Sequence, residues 1–249
     1  MPLHRTTPSA TTTIIAIIIP ASVDLLCFLT KDKTTFRFAF ISDSHQWLND
    51  LSDEVSDINR RSDIDFVIHG GDMTDFGGTQ EFLWTRDRLK KLNKPFVALL
   101  GNHDCLGTGT KAYQVTFGYP DFAFIAGRVK FVCLNTNAIE YDYSQPVPNF
   151  DFIKAEWTNR ADEFDRSVVC MHAPPFTEQF NNNVAEPFND YIHKLPQLMF
   201  CLDGHGHHIR IQDLYDDGTI FYMTARAKER KYYIFTITPD DYSYEIIDF

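Results

Sequence analysis

The sequence predicts a single-domain mixed α/β fold in which two mixed β-sheets are flanked by helices. The chain has 249 residues, which is enough for one large hydrophobic core. Up to about residue 101, short apolar runs alternate with amphipathic segments, which is the pattern of a βαβαβ unit. After residue 129, apolar runs follow one another at hairpin-like spacing, which indicates a strand-rich second half. We expect the domain to span residues 35–249, after an N-terminal extension of residues 1–34.

Three strands separated by two helices account for the first part of this domain. The strands are predicted at 36–42 (FRFAFIS), 65–70 (DFVIHG) and 95–101 (PFVALLG). Between the first two strands, Leu51, Val55 and Ile58 recur at helical spacing. Between the second and third, Thr79 can cap a helix that runs to about Lys91.

The second part of the domain is dominated by strands. They are predicted at 129–135 (VKFVCLN), 167–171 (SVVCM), 198–204 (LMFCLDG), 209–215 (IRIQDLY), 219–225 (TIFYMTA), 232–239 (YYIFTITP) and 242–249 (YSYEIIDF). A helix is predicted at about 152–164, between the first two of these strands. No repeat and no linker divides the chain, so a single domain is expected.

The N-terminal extension has two interpretations. Residues 1–13 are polar and slightly basic, and an apolar stretch then reaches Leu29, an order that resembles a secretory signal. Pro20 and Asp24 interrupt the apolar stretch, which is too short to span a membrane. We favour an exported protein, with an extra strand at Val23–Leu29 of a cytoplasmic protein as the alternative. Association with a membrane is expected only if the extension is a signal or an anchor.

The net charge limits the partners that the protein can have. A formal charge of −11 argues against a non-specific nucleic-acid binder, which would present a basic face. It does not exclude a small anionic substrate, because bound metal ions can outweigh the protein's own field locally. We therefore expect no nucleic-acid partner.

Residues of the types that bind metals recur where the predicted strands end. They are Asp43, His45, Asp72, Asn102, His103, Asp104, His172, His205 and His207. A single Asp-x-His or Gly-Asp is usually a polar loop or a turn, and a histidine cluster can be adventitious. In open α/β sheets, however, the loops at the carboxyl ends of strands form the binding site. Five such blocks at five strand ends predict one shared site.

The blocks resemble those of the calcineurin-like metallophosphoesterase superfamily. They occur in the same order as in that superfamily, and no ligand residue is replaced. They read DSH (43–45), GD (71–72), GNHD (101–104), H (172) and GHGH (204–207), and the resemblance spans about residues 36–215. It implies a four-layer αββα sandwich, two divalent metal ions and an enzyme that hydrolyses phosphoric ester bonds.

The resemblance also implies how the ligands divide between the two metal ions. One ion would be held by Asp43, His45, Asp72 and His207, and the other by Asp72, Asn102, His172 and His205. Mixed carboxylate, imidazole and amide ligation suits manganese, iron or zinc better than calcium. Two carboxylates leave two divalent ions with a positive surplus, even after a hydroxide bridges them, so an acidic protein can still bind phosphate. In this scheme the bridging hydroxide attacks the phosphate ester.

His103 and Asp104 are the predicted catalytic residues outside the ligand set. The resemblance places His103 near the leaving-group oxygen, where it would stabilise charge or donate a proton. Asp104 could orient the imidazole of His103. His69, at the end of the second strand, is expected to have a structural role.

Departures from subfamily patterns narrow the expected substrate. Purple acid phosphatases have a tyrosine three residues after the bridging aspartate, where this chain has Asp75. Protein serine/threonine phosphatases carry GDxVDRG, whereas this chain reads GDMTDFGG. The pattern is most similar to the cyclic-nucleotide and glycerophosphodiester phosphodiesterase branch. We expect a small phosphorylated substrate, and Tyr141–Phe152 is a candidate substrate-binding loop.

Three alternatives stay open beside the phosphodiesterase. The same fold could carry a phosphomonoesterase, a non-catalytic scaffold or a metal-dependent nuclease, and the net charge and the single-domain length disfavour the nuclease. The basic run from Arg226 to Lys231 is expected to be a solvated turn, although one member could steer a substrate phosphate.

Overall fold

The computed structural model describes residues 19–142 and 144–249, with side chains from Val23 onward. The helices are α1 (Ile19–Thr30), α2 (Leu48–Arg60), α3 (Thr79–Leu89), α4 (Gly109–Phe117), α5 (Phe150–Glu156) and α6 (Ala185–Ile192). The strands are β1 (Phe36–Ile41), β2 (Phe66–His69), β3 (Phe96–Ala98), β4 (Phe122–Ala126), β5 (Val129–Leu134), β6 (Arg166–Met171), β7 (Leu198–Asp203), β8 (Arg210–Asp213), β9 (Ile220–Met223), β10 (Lys231–Ile237) and β11 (Tyr242–Asp248). Short 3₁₀ turns lie at His103–Cys105, Ala138–Tyr141, Asn182–Val184 and Ala227–Glu229.

The strands form two mixed sheets. The first has five strands in the order β11-β10-β1-β2-β3, and the second has six in the order β4-β5-β6-β7-β9-β8. In the first sheet β1, β2 and β3 are parallel, and in the second β5, β6, β7 and β9 are parallel. The remaining pairs are antiparallel. The parallel strands of each sheet therefore end at one edge, where their loops can share a site.

Aromatic side chains fill the space between the two sheets. Phe38 of β1 stacks on Phe66 of β2 with ring centroids 5.1 Å apart, and it meets Phe131 of the other sheet edge-on at 5.4 Å. Ala39 and Ile41 of the same strand belong to the core on the opposite face, beneath the helices. This alternation is the period of two that a strand buried on both faces requires.

Helices cover the outer face of each sheet. Leu51 of α2, Phe82 of α3 and Tyr113 of α4 are buried against the first sheet. Ile153 of α5 and Phe188 of α6 are buried against the second. The order of layers is thus helix, sheet, sheet, helix, and the predicted four-layer αββα sandwich is confirmed.

Several predicted elements differ in their bounds. All ten predicted strands are present, and the structure adds the strand β4 and the helices α1, α4 and α6. Thr79 is not the cap of α3: the cap position is Gly78, whose N–H donates to the Glu81 carboxylate at 2.8 Å. The helix predicted at 152–164 ends at Glu156, and Arg160 lies in the left-handed region with a φ of 58°.

The segment before β1 is a helix, so the alternative of an extra strand at Val23–Leu29 is wrong. Leu26 is fully buried at the end of the core between the sheets, and α1 contacts β3 and β4 at their edges. A short apolar run does not distinguish a buried helix from a strand. The signal or anchor interpretation rests largely on residues 1–18, which lie outside the described residues. In the part that is described, no helix has both the length and the apolar character to cross a membrane.

Candidate metal centre

Seven predicted ligands meet on one rim of the sandwich. Asp43 and His45 follow β1, Asp72 follows β2, Asn102 follows β3, His172 follows β6, and His205 and His207 follow β7. The loops after β6 and β7 are joined directly, because the Gly204 N–H donates to the His172 carbonyl oxygen at 3.0 Å. The carboxyl ends of the parallel strands therefore bring the seven side chains together.

The first group of donors consists of Asp43, His45, Asp72 and His207. One ligand atom from each lies within 4.8 Å of the others. His45 Nε2 is 3.8 Å from Asp43 Oδ1 and 3.6 Å from Asp72 Oδ2. His207 Nε2 is 3.4 Å from Asp43 Oδ1. These four side chains could hold one cation.

The second group consists of Asp72, His172 and His205, with Asn102 between the two histidines. His172 Nε2 is 3.2 Å from Asp72 Oδ2 and 3.1 Å from Asn102 Oδ1. His205 Nδ1 is 3.0 Å from the same amide oxygen. Because Asp72 belongs to both groups, the two candidate cation sites are adjacent and share a carboxylate.

Unsatisfied polar atoms show that these residues fit a cation. Among the described residues, Asp43 Oδ1, His45 Nε2 and Asp72 Oδ2 are buried and have no hydrogen-bond partner. Buried polar atoms are normally paired, and each unpaired one costs about 1–3 kcal/mol. All three belong to the first donor group, so one divalent cation among them would satisfy all three. The donor chemistry thus fits the binding of divalent metal ions.

The backbone of the ligand residues is strained. Asp43, His45, Asp72, His205 and His207 all have positive φ, between 41° and 68°. Non-glycine residues rarely adopt this conformation, and where they do the surrounding structure holds them there, often at functional sites. Five such residues in one cluster indicate that the fold positions these side chains at the cost of local strain.

Two glycines of the sequence blocks allow the loops to approach closely. Gly71 has a φ of 106°, and a Cβ added there would lie 2.7 Å from His172 Nδ1. A Cβ on Gly101 would lie 2.2 Å from Asp72 Oδ1. The glycines of GD and GNHD are therefore required by packing between ligand loops as well as by turn geometry.

The electrostatics of the cluster favour positive charge. Burial alone would raise the pKa of Asp43, but the His207 imidazole, 3.4 Å from Oδ1, and the charges of His172 and His45 bring that pKa below its ordinary value. Burial would also raise the pKa of Asp72, but the positive charge of His172 has the larger effect, so the pKa of Asp72 is lowered as well. In turn, burial would lower the pKa of His172, but Asp72 and Asp43 raise it to about 10. The same carboxylates that attract a proton would attract a metal, which binds in competition with protons.

His103 lies beside the first donor group. Its backbone N–H donates to Asp72 Oδ1 at 2.9 Å, and its ring meets that of His45 edge-on with centroids 4.8 Å apart. Its Nδ1 is 2.8 Å from the backbone carbonyl oxygen of Asp75, so Nδ1–H donates to that oxygen. This role of Asp75 was not predicted, because a backbone acceptor leaves no signal in the sequence.

Asp104 does not orient His103, and this expectation is wrong. Its carboxylate is fully buried and accepts from the backbone N–H groups of Met73 at 3.2 Å, Thr74 at 3.0 Å and Gly101 at 3.0 Å, and from the Thr74 hydroxyl at 2.9 Å. Burial and the negative charge of Asp72 raise the pKa of Asp104 to about 7. Asp104 therefore ties the loop after β2 to the loop after β3, a structural role.

His69 is also structural, as expected. Its imidazole is fully buried, and Nδ1 accepts the N–H of Gly71 at 3.2 Å. Its Nε2 is 3.2 Å from the Ser44 hydroxyl, to which it donates. Burial lowers the pKa of His69 to about 4, so the ring is neutral and its tautomer is fixed by these two contacts.

Solved structures from several organisms share this architecture. A dimetal phosphatase of Danio rerio aligns with a TM-score of 0.70 and 11% identity, over 87% of this chain and 98% of that one. GAP50 of Plasmodium, described as the anchor in the inner membrane complex, aligns at 0.61 and 12% identity, over 87% and 85%. A 5′-nucleotidase of Candida albicans aligns at 0.60 and 15% identity, over 89% of this chain and 52% of that one. At these identities the likeness shows the fold alone.

Sequence comparison identifies the family. None of the curated proteins matches the chain in sequence. The family model described as calcineurin-like phosphoesterase matches residues 36–209, which include every ligand block. The chain therefore belongs to the calcineurin-like phosphoesterase family and is a hydrolase that acts on phosphoric ester bonds.

Proposed function

We propose that this protein is a phosphodiesterase that hydrolyses a small phosphodiester at a centre of two manganese, iron or zinc ions. The observation that carries the proposal is the pair of donor groups that share Asp72, with His103 beside them. Mixed carboxylate, imidazole and amide donors suit these three metals better than calcium.

The side chains divide the work of the reaction. When bound, the two metals would polarise the phosphoryl oxygens and lower the pKa of a water molecule. Asp43 and Asp72 stay ionised at neutral pH, because their pKa values lie below the ordinary value. His103 donates Nδ1–H to the Asp75 carbonyl oxygen, so Nε2 is the nitrogen left for the substrate. Only the imidazolium carries a second proton on Nε2, and that is the proton that His103 would give to the departing oxygen, leaving a neutral ring with its hydrogen on Nδ1.

Two features favour a diester over a monoester. The GDMTDFG and GNHD blocks are most similar to the phosphodiesterase branch, and the arginine of the protein phosphatases is missing from the first of them. A monoester dianion would gain from an additional cation, but Arg226, whose backbone adjoins His207, is engaged by Glu229 at 2.8 and 3.0 Å. Its charge is thereby largely neutralised by an adjacent carboxylate.

The loop Tyr141–Phe152 is proposed to bind a second ester arm. The chain that leads into it contacts the ligand loops, because the Asn137 amide donates to the Leu100 carbonyl oxygen at 2.9 Å, just before Gly101. Ile139, two residues before the loop, exposes 58% of its surface. An exposed apolar side chain there supports the proposal, since it could contact an arm that leaves the phosphate. The substrate is proposed to be small, since the charge of −11 disfavours nucleic acid.

The test is a comparison of two chromogenic esters with the manganese-loaded protein. Bis(p-nitrophenyl) phosphate should be hydrolysed with a kcat/KM at least equal to that of p-nitrophenyl phosphate. Shortening Tyr141–Phe152 should raise KM for the diester more than it lowers kcat. A strong preference for monoesters with several leaving groups would instead indicate a phosphomonoesterase. Absence of hydrolysis by metal-loaded protein would favour a scaffold, as the description of GAP50 as an anchor illustrates for a protein of this fold.

A further inference from the structure

The candidate metal-binding histidines differ in what their outer ring nitrogen contacts. His172 Nδ1 lies 2.9 Å from the Gly70 carbonyl oxygen, His45 Nδ1 lies 3.1 Å from the Thr74 carbonyl oxygen, and His205 Nε2 lies 2.9 Å from Glu178 Oε1. The first two histidines thus have a neutral backbone acceptor as their nearest partner, and for His45 the Asp75 carboxylate lies farther from the same nitrogen, at 3.4 Å. His205 has a carboxylate at hydrogen-bond distance, and a carboxylate bears a full negative charge.

The orientation of the His205 ring follows from its two contacts. Nδ1 faces the second donor group, since it is 3.0 Å from Asn102 Oδ1. A nitrogen that binds a metal must offer its lone pair, so the ring hydrogen of a metal-binding His205 sits on Nε2. Nε2–H then donates to Glu178. The pair therefore selects the tautomer in which Nδ1 is free for a cation.

Glu178 is held in place by its loop although its own side chain is 72% exposed. On one side, Asn182 accepts the Phe176 N–H at 2.8 Å and donates to the Thr177 carbonyl oxygen at 2.8 Å. On the other side, the Ala138 N–H donates to the Gln179 carbonyl oxygen at 2.8 Å. The backbone is thus anchored directly before and after Glu178, which limits the entropy lost when its carboxylate meets His205.

We propose that Glu178 is a positioning residue that strengthens the metal site formed by Asp72, Asn102, His172 and His205. This inference rests on the proposed dinuclear function and adds a residue that acts on one of the two sites through His205. A carboxylate on the outer nitrogen fixes the ring and raises its basicity as a ligand, and loss of such a partner typically weakens metal binding about 10–100-fold.

Cobalt(II) titration of the metal-free protein tests this without an activity assay. The absorbance of the bound ion and competition with a chromophoric chelator give two stepwise affinities. In Glu178→Ala one step should weaken about 10–100-fold and the other should change little. In Glu178→Gln the loss should be smaller, because the amide oxygen still accepts from Nε2–H but carries no charge. Glu186→Ala and Glu186→Gln are matched controls, since Glu186 is an exposed glutamate on α6, and both should bind as wild type.

The outcomes separate this inference from the proposed function. If wild-type protein binds two ions and Glu178→Ala binds both with the wild-type affinities, the role of Glu178 is overturned and the dinuclear site stands. Wild-type protein that binds fewer than two ions contradicts the dinuclear function itself. Equal weakening of both steps, or a lower thermal midpoint of the metal-free Glu178→Ala protein, would show a general structural role and overturn the inference.

Discussion

Replacing Asp104 with alanine should destabilise the fold, because the carboxylate is a buried acceptor for four donors. Three of these are backbone N–H groups, and the fourth is the Thr74 hydroxyl. An unsatisfied buried donor costs about 1–3 kcal/mol, so three N–H groups would cost about 3–9 kcal/mol. Burial raises the pKa of Asp104 to about 7, which shows that its own ionisation is unfavourable in the folded protein. Removing the carboxyl group relieves that cost and offsets part of the loss, so we expect the free energy of unfolding to fall by about 3–4 kcal/mol.

The adjacent His103 provides the contrast. Its ring is partly exposed and its Nδ1–H bonds one backbone carbonyl, so His103→Ala should destabilise by only about 1 kcal/mol. If His103 is the general acid, turnover should nevertheless fall about 10²–10⁴-fold, with a smaller effect on an ester that has a good leaving group. Urea unfolding of each metal-free variant measures stability, and metal analysis after dialysis measures how much metal the ligand cluster retains.

The two variants should therefore separate stability from catalysis. Asp104→Ala should unfold at lower urea and retain less metal, since it no longer ties together the loops that carry Asp72 and Asn102. An Asp104→Ala protein with wild-type stability and metal content, but with the slow turnover of His103→Ala, would refute the structural role. Loss of metal from His103→Ala would make His103 a ligand.

Two further substitutions test the charge assignments. Asp72→Asn should weaken both steps of metal binding in a titration, because the shared carboxylate supplies half of the ligand charge; weakening of a single step would contradict the sharing. Burial, with Asp50 nearby, raises the pKa of Glu54 well above 4.5, so the stability it contributes is complete below about pH 4.5 and is lost as pH rises toward the folded pKa. In urea unfolding, the Glu54→Gln protein should therefore be more stable than wild type at pH 8 but not at pH 4.5. The control Glu186→Gln should match wild type at both pH values. Equal stability of Glu54→Gln and wild type at pH 8 would refute this.

The strands and the ligand cluster were predictable because their signals are local. In the segment 36–42, apolar residues occupy both faces, which is typical of a strand buried between a second sheet and a layer of helices. Each candidate ligand lies one to four residues after such a strand, so locating the strand ends also locates the site. Asp43 and His45 could be placed on the rim in this way before any contact was known.

The elements that the sequence analysis missed depend on packing. The helix α4 contains β-branched Thr110, Val115 and Thr116, which favour strands, and it forms because Tyr113 and Phe117 are buried beneath α3. The roles of Asp104 and Glu178 were likewise hidden. Asp104 and His103 are adjacent in one 3₁₀ turn, and only the turn geometry shows that their side chains face different partners. Glu178 meets His205 across 27 positions of the chain.

The strain in the ligand loops links metal binding to folding. The positive φ angles of Asp43, His45 and Asp72 and the unpaired atoms on these three side chains exist only in the folded chain. An ion that binds these atoms stabilises the folded state and has no matching site in the unfolded one, so its binding adds to the free energy of unfolding. Asp104 and its four donors hold the loops in place without a metal. The folded chain thus holds the carboxylate and imidazole donors of the first group together in a strained arrangement, which binding of a divalent cation would stabilise.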